Sequence, residues 1–236
     1  MSAPIAFFHI AGFLKIPGVL DPEESSHLRD VTDQIVELSS SANVTRRPDR
    51  ARIDNAVSMH EAILDVATSD RLVDVLEQVL GPDIDLVENR HNHLSAYRQP
   101  ATDRLHRDVL QWSRSILTVL IYLSDCADLA AATRLVPGSH LWPSTGQPNN
   151  GGTWLDESAT YSSLREQALP VPTRAGDAVL MHGQLYHSGA GASASGPRTV
   201  LTLAYRSVDE LAEHQPAHCR LVSGRRIYRG RGVARV

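Results

Sequence analysis

The feature that most restricts this chain is a change of hydrophobic period at Gly81-Pro82. Before it, apolar residues recur at helical spacing. Asp21-Pro22-Glu23-Glu24 reads as a helix start, with Asp21 able to cap, Pro22 suited to the first turn and Glu24 completing a capping box. Leu28, Val31, Ile35 and Leu38 follow as one buried stripe. Ser58 with Glu61 marks a second start. Ser69 begins a third helix, carrying Leu72, Val75, Leu76 and Val79 and stopped by Gly81-Pro82. After Pro82, segments 84–88, 91–97, 115–123, 133–137, 178–182 and 198–206 are short, rich in β-branched residues and separated by turn clusters. Helices followed by many short strands predict an α+β chain with a sandwich or barrel core.

Composition narrows the functional classes. The chain has 236 residues, enough for one large domain with a substantial core. At 42% hydrophobic and 21% charged residues it reads as globular. A formal charge of −4 supplies no basic field for nucleic acid. The chain has no apolar run long enough for a membrane span, and its start lacks the basic n-region of a signal peptide. Cys126 and Cys219 are isolated, which disfavours a disulfide framework and makes a reducing cytoplasm the expected compartment. We expect one domain over 1–236: a helical part at about 20–82, a β core at about 84–210 and a basic tail from Ser223. The polar, Gly-rich stretch Ser144–Ser158 has the length of a lid over a site. Oligomeric state is not legible in the sequence.

Two pieces carry chemistry. His106-Arg107-Asp108 is an H-x-D, which alone has little weight. Gly176-Asp177 opens an apolar strand that leads through His182 to His187-Ser188-Gly189, and Arg198 then opens an alternating strand. A non-haem iron(II) site needs two imidazoles and one carboxylate on one side, leaving three positions open. Alternate residues of a strand share a face, so an H-x-D can supply two ligands and a distant strand the third. A nearby arginine can hold a dicarboxylate, because its planar fork matches a carboxylate and its charge does not titrate.

On these residues the chain resembles the phytanoyl-CoA dioxygenase (PhyH) family of Fe(II)/2-oxoglutarate-dependent oxygenases, over nearly its whole length. Gly12-Phe-Leu-Lys-Ile-Pro-Gly-Val-Leu-Asp-Pro-Glu-Glu looks like the family's first strand and helix. His106-Arg-Asp108 matches its H-x-D and Leu135-Val-Pro-Gly-Ser-His140 its VPGSH segment. Gly176 to His187-Ser-Gly matches the strand bearing the distal histidine, and Arg198 falls at the usual spacing after it. The resemblance implies a double-stranded β-helix (a jelly roll) with helices on one side. It implies iron bound by His106, Asp108 and His187, 2-oxoglutarate with its 5-carboxylate on Arg198, and O2 as co-oxidant. It also implies oxidation of a small-molecule substrate with release of succinate and CO2. Hydroxylation is the commonest outcome in such enzymes; epimerisation, cyclisation and desaturation also occur. Asp108 argues against halogenation, since halogenating relatives replace that carboxylate. The chain departs from the pattern at Ala131-Ala-Thr-Arg134, where an Asn-Gly is common, and at Leu120, where many relatives place tryptophan.

Other residues are weaker candidates. Asn92, between His91 and His93, is a candidate for the 1-carboxylate side of the cosubstrate. Tyr97, Trp112 and Trp154 are candidates for substrate contact. His182 is a rival of His187, His140 is expected to hold a loop, and Arg206 shares strand parity with Arg198. Two other classes compete: a jelly-roll isomerase or hydrolase using the same triad without oxoglutarate, and a non-catalytic binding module.

Overall fold

The computed structural model describes residues 3–99, 105–109, 116–129, 131–142, 159–189, 191–192, 196–208 and 217–226. The expected lid at 144–158, with Trp154, and Trp112 lie outside the described residues, as does the tail beyond 226.

The predicted helix starts form where the local chemistry favours them. α2 (Pro22–Leu38) begins with a complete capping box, Asp21 accepting from Glu24 N and Glu24 accepting from Asp21 N. Such a cap contributes about 1 kcal/mol. α3 (Glu61–Ala67) is capped by the His60 ring rather than by Ser58, which belongs to a preceding 3-10 turn at Ala56–Ser58. α4 (Asp70–Leu80) starts after Ser69 and ends at Gly81, whose φ of 87° suits glycine. A further helix, α1 (Ala3–Ala11), precedes them, and α5 (Ala159–Gln167) lies late in the chain. No helix of the described residues is long and apolar enough to cross a membrane.

The first third is not wholly helical, contrary to the periodicity reading. It contains β1 (Phe13–Ile16), β2 (Val44–Arg46) and β3 (Arg50–Asp54). In β3, Ala51 and Ile53 are buried while Arg50, Arg52 and Asp54 are half-buried. That is period-2 alternation whose polar face hides it from a search for apolar runs.

The remaining strands are β4 (Ile84–Val87), β5 (His93–Tyr97), β6 (Leu117–Tyr122), β7 (Thr133–Leu135), β8 (Leu169–Val171), β9 (Ala178–His182), β10 (His187–Ser188), β11 (Arg198–Ser207) and β12 (Cys219–Ser223). Among the described residues they form two sheets. The larger has nine strands and runs β1-β9-β6-β11-β5-β3-β2, with β4 pairing both β11 and β12; the smaller runs β10-β7-β8. The pairings are antiparallel. β11 anchors the larger sheet. It pairs β6 on one side, and on the other β5 through Arg198–Thr202 and β4 through Tyr205–Ser207.

Strand parity divides the larger sheet into two faces. Leu94, Leu117, Val119, Ile121, Leu180, Leu201 and Leu203 face one way and pack with Leu28, Val31, Leu72 and Leu76 of α2 and α4. Each such buried side chain contributes about 1.5–3 kcal/mol. The alternate residues Leu120, Tyr122, Val179, Met181 and Val200 pack with Leu135 and Val171 of the smaller sheet. The chain is therefore an α+β jelly roll with helices on one side, and its interior lies between the two sheets.

Candidate active site

The H-x-D segment runs beside the chain that bears the distal histidine. His106 N donates to His187 O at 2.8 Å and His187 N to His106 O at 2.9 Å. Two residues on, the amides of Asp108 and Val109 both donate to Gly183 O. Gly183 permits this stitch: an added Cβ would lie 2.8 Å from Ile116 Cγ1 and 2.9 Å from Ile116 O. The backbone thereby brings His106, Asp108 and His187 together, with one ligand atom from each lying within 4.8 Å of the others. His187 and Asp108 are 5% exposed, and the rings of His106 and His187 are 4.2 Å apart.

Neighbouring groups orient these side chains. His187 Nδ1 donates to Leu185 O at 2.9 Å, which leaves Nε2 as the lone pair, 3.6 Å from Asp108 Oδ1. Asp108 Oδ2 accepts from the buried Thr118 hydroxyl at 2.5 Å, while Oδ1 faces His187 and His91 Nε2 (3.5 Å). Arg90 donates to the Asp108 carbonyl. Burial alone would push the Asp108 carboxyl up. The imidazoles of His187 and His91 and the Thr118 hydroxyl outweigh burial, so the group is held below its ordinary value, as an anion. Two imidazoles and one carboxylate with open space beside them fit a ferrous ion, which prefers mixed N and O donors.

A cavity of about 410 Å³ opens at the triad. Its lining follows strand parity: His93, Ser95 and Tyr97 from β5, Thr118 and Leu120 from β6, and Arg198, Val200 and Thr202 from β11. Arg198 is 4% exposed. Its Nη2 donates to Thr133 Oγ1 at 2.9 Å, and Thr133 in turn shares a 2.7 Å hydrogen bond with Tyr122 OH. The guanidinium also lies over the rings of Tyr97 (5.5 Å) and Tyr122 (5.4 Å). A desolvated guanidinium on such supports can bind a carboxylate with little reorganisation.

Not every candidate reaches this cavity. Asn92 is buried, but its Oδ1 accepts from Val57 N at 3.0 Å and its Nδ2 donates to Glu88 O at 2.9 Å. Both ends of the amide are occupied by backbone, and Asn92 is absent from the lining, so its assignment to the cosubstrate is withdrawn. Its neighbours His91 and His93 line the cavity instead. Burial, followed by the charge of Arg52, pushes His93 down to about 3, so its ring is neutral. The His182 ring lies near that of His140 (5.1 Å, tilted by 42°) and accepts from Gln184 N, and His182 is not among the clustered ligand groups. His140 Nε2 donates to His9 O at 3.2 Å and so ties the VPGSH loop to α1. Arg206 lies 3.5 Å from the buried Asp85 and serves that ion pair. Tyr97 lines the cavity beside Arg198. Thr118, Thr133, Arg50 and Arg52, which also line the cavity, are absent from the sequence candidates. For Thr118 the available signal was its parity with Leu120 on β6.

Known proteins point the same way. The chain matches an ectoine dioxygenase of Nocardia farcinica at 26% identity, over 88% of this chain and 78% of that one. It superposes on the epimerase SnoN, solved with Fe3+, alpha ketoglutarate and nogalamycin RO, with a TM-score of 0.70 at 20% identity, covering 87% of this chain and 82% of that one. HygX from Streptomyces hygroscopicus, solved with nickel, 2-oxoglutarate and hygromycin B, gives a TM-score of 0.70 at 18% identity, covering 89% and 88%. The two solved structures share the fold of this chain, and the sequence relative is a dioxygenase, which points to a dioxygenase class. The model of the phytanoyl-CoA dioxygenase (PhyH) family matches residues 8–200, and the chain belongs to that family.

Proposed function

We propose that this chain forms one catalytic domain that oxidises, by hydroxylation, a small molecule of specialised metabolism. In this reading His106, Asp108 and His187 hold iron(II), and Arg198 grips the 5-carboxylate of 2-oxoglutarate. The observation that carries it is the convergence of those three side chains beside a cavity that also contains a buried arginine. Bound iron and oxoglutarate supply an oxidant strong enough to attack a C–H bond, with succinate and CO2 as co-products. The protein's part is positioning. Thr118 fixes the Asp108 carboxylate, the Leu185 carbonyl fixes the His187 ring, and Thr133 with Tyr122 and Tyr97 fixes Arg198. The apolar groups Leu120, Met181 and Val200 limit water around the cosubstrate. The relatives' named ligands, nogalamycin and hygromycin B, support a small organic substrate.

The test is succinate formation from 2-oxoglutarate with ferrous iron under air, with Asp108→Ala and Arg198→Gln beside the wild type. The first variant should abolish turnover. The second should weaken 2-oxoglutarate binding in calorimetry by about 10- to 100-fold, the range for a lost charge-assisted pair. Undiminished turnover in Asp108→Ala, or unchanged affinity in Arg198→Gln, would refute the assignment.

A further inference from the structure

Beyond the triad and Arg198, the cavity is lined by two more guanidinium groups, Arg50 and Arg52 of β3. Register places them. Lateral rows cross β11, β5 and β3 as Arg198–Tyr97–Arg50 and then Val200–Ser95–Arg52. Neighbouring strands lie about 4.8 Å apart, so Arg50 starts roughly 10 Å from Arg198 across the sheet. The Tyr97 ring stands between them, with its centroid 5.5 Å from the Arg198 guanidinium carbon and 5.7 Å from that of Arg50. The cavity thus has two cationic positions separated by an aromatic ring.

Their charge is only partly balanced locally. Among the described lining residues the only carboxylate is Asp108. Arg52 Nε bonds Asp54 Oδ1 at 2.7 Å, but Asp54 is half-exposed and outside the lining. Among the described residues Arg50 has no ion pair; its guanidinium lies over Tyr97. Iron(II) and the cosubstrate dianion cancel each other, Asp108 offsets one arginine and Asp54 another, so one net positive charge remains beside the open space, where Arg50 has no carboxylate partner among the described residues. Both side chains are half-buried on the face of β3 that lines the cavity.

We infer that Arg50 and Arg52 form the substrate side of the cavity and receive a negatively charged head group, carboxylate or phosphate, on the molecule to be oxidised. This rests on the reading of Arg198 as the cosubstrate anchor. Tyr97 divides the two anions, and His93 and His91 line the path between the head group and the triad.

The test uses the anaerobic protein loaded with iron(II) and saturating 2-oxoglutarate. It is titrated calorimetrically with hexanoate, hexyl phosphate and hexanamide. At least one anion should bind about tenfold or more tightly than the amide, and the tighter anion identifies the head group. In the Arg50→Gln/Arg52→Gln double variant this preference should vanish while 2-oxoglutarate affinity stays within about twofold of wild type. Equal binding of the three probes, or a preference that survives in the variant, overturns the inference. Loss of 2-oxoglutarate affinity in the variant also overturns it, since the arginines would then serve the cosubstrate. Failure of the wild type to bind 2-oxoglutarate would instead refute the role of Arg198; the anion preference is then read on the protein loaded with metal alone.

Discussion

Thr118→Val replaces a hydroxyl by a methyl of nearly the same shape and isolates one hydrogen bond. In the native chain the Thr118 hydroxyl donates to Asp108 Oδ2 at 2.5 Å, with the two residues 1% and 5% exposed. A buried hydrogen bond to a charged group contributes about 1.5–3 kcal/mol. Without it, Asp108 Oδ2 has no hydroxyl to hold it, and the carboxylate can turn Oδ1 away from His187. The loss converts to roughly 10- to 100-fold weaker metal binding, the range typical of a group that orients a metal ligand. Anaerobic titration with iron(II), or with cobalt(II) as a coloured substitute, measures it directly. Thr118→Ser keeps the hydroxyl and should recover most of the affinity. Metal affinity in Thr118→Val within twofold of wild type would refute the argument that this hydroxyl orients the carboxylate.

Asn92→Ala should cost about 1–3 kcal/mol in denaturant unfolding, because Val57 N and Glu88 O lose their buried partners, yet leave 2-oxoglutarate affinity unchanged. Gly176→Ala should destabilise by more than about 2 kcal/mol, since φ there is 90° and the new Cβ would meet the Leu20 carbonyl oxygen; an unchanged unfolding midpoint would contradict it. His182 is pushed down to about 4, first by burial and then by His140 and Arg107. Because its folded value lies below the ordinary 6.5, the stability it carries is complete above about pH 6.5 and is lost as pH falls towards 4. Allowing for the ring's partial exposure, the loss is about 1–2 kcal/mol. Unfolding curves at pH 7 and 4.5 should therefore converge in His182→Asn relative to wild type, and equal pH slopes would count against the claim.

Legibility in the sequence followed physical simplicity. Capping chemistry is local, so the start of α2 at Asp21 could be read from four residues. β11 alternates cleanly and carries Arg198 at its first residue, so both strand and arginine were visible. β3 was missed because its alternate residues Arg50, Arg52 and Asp54 are polar, the two arginines facing a cavity rather than a core, and so give no apolar signal. Asn92 misled for a related reason: parity suggests which way a side chain points but not whether backbone groups have already taken its hydrogen bonds. The support of Arg198 by Thr133 joins residues 65 positions apart and appears only once β7 is folded over β11.

The paired amides of His106 and His187 have a consequence for metal loading. In many small metalloproteins the ion must gather its own donors, so chelation and unfolding are one event. Here the ladder has already fixed the distance between the two imidazole-bearing backbones, and chelation should leave a cooperative unfolding transition largely intact. First-row divalent ions differ little in size, so this donor set has little means of rejecting them on that ground. Nickel, cobalt and copper would be expected to compete well with iron at such donors.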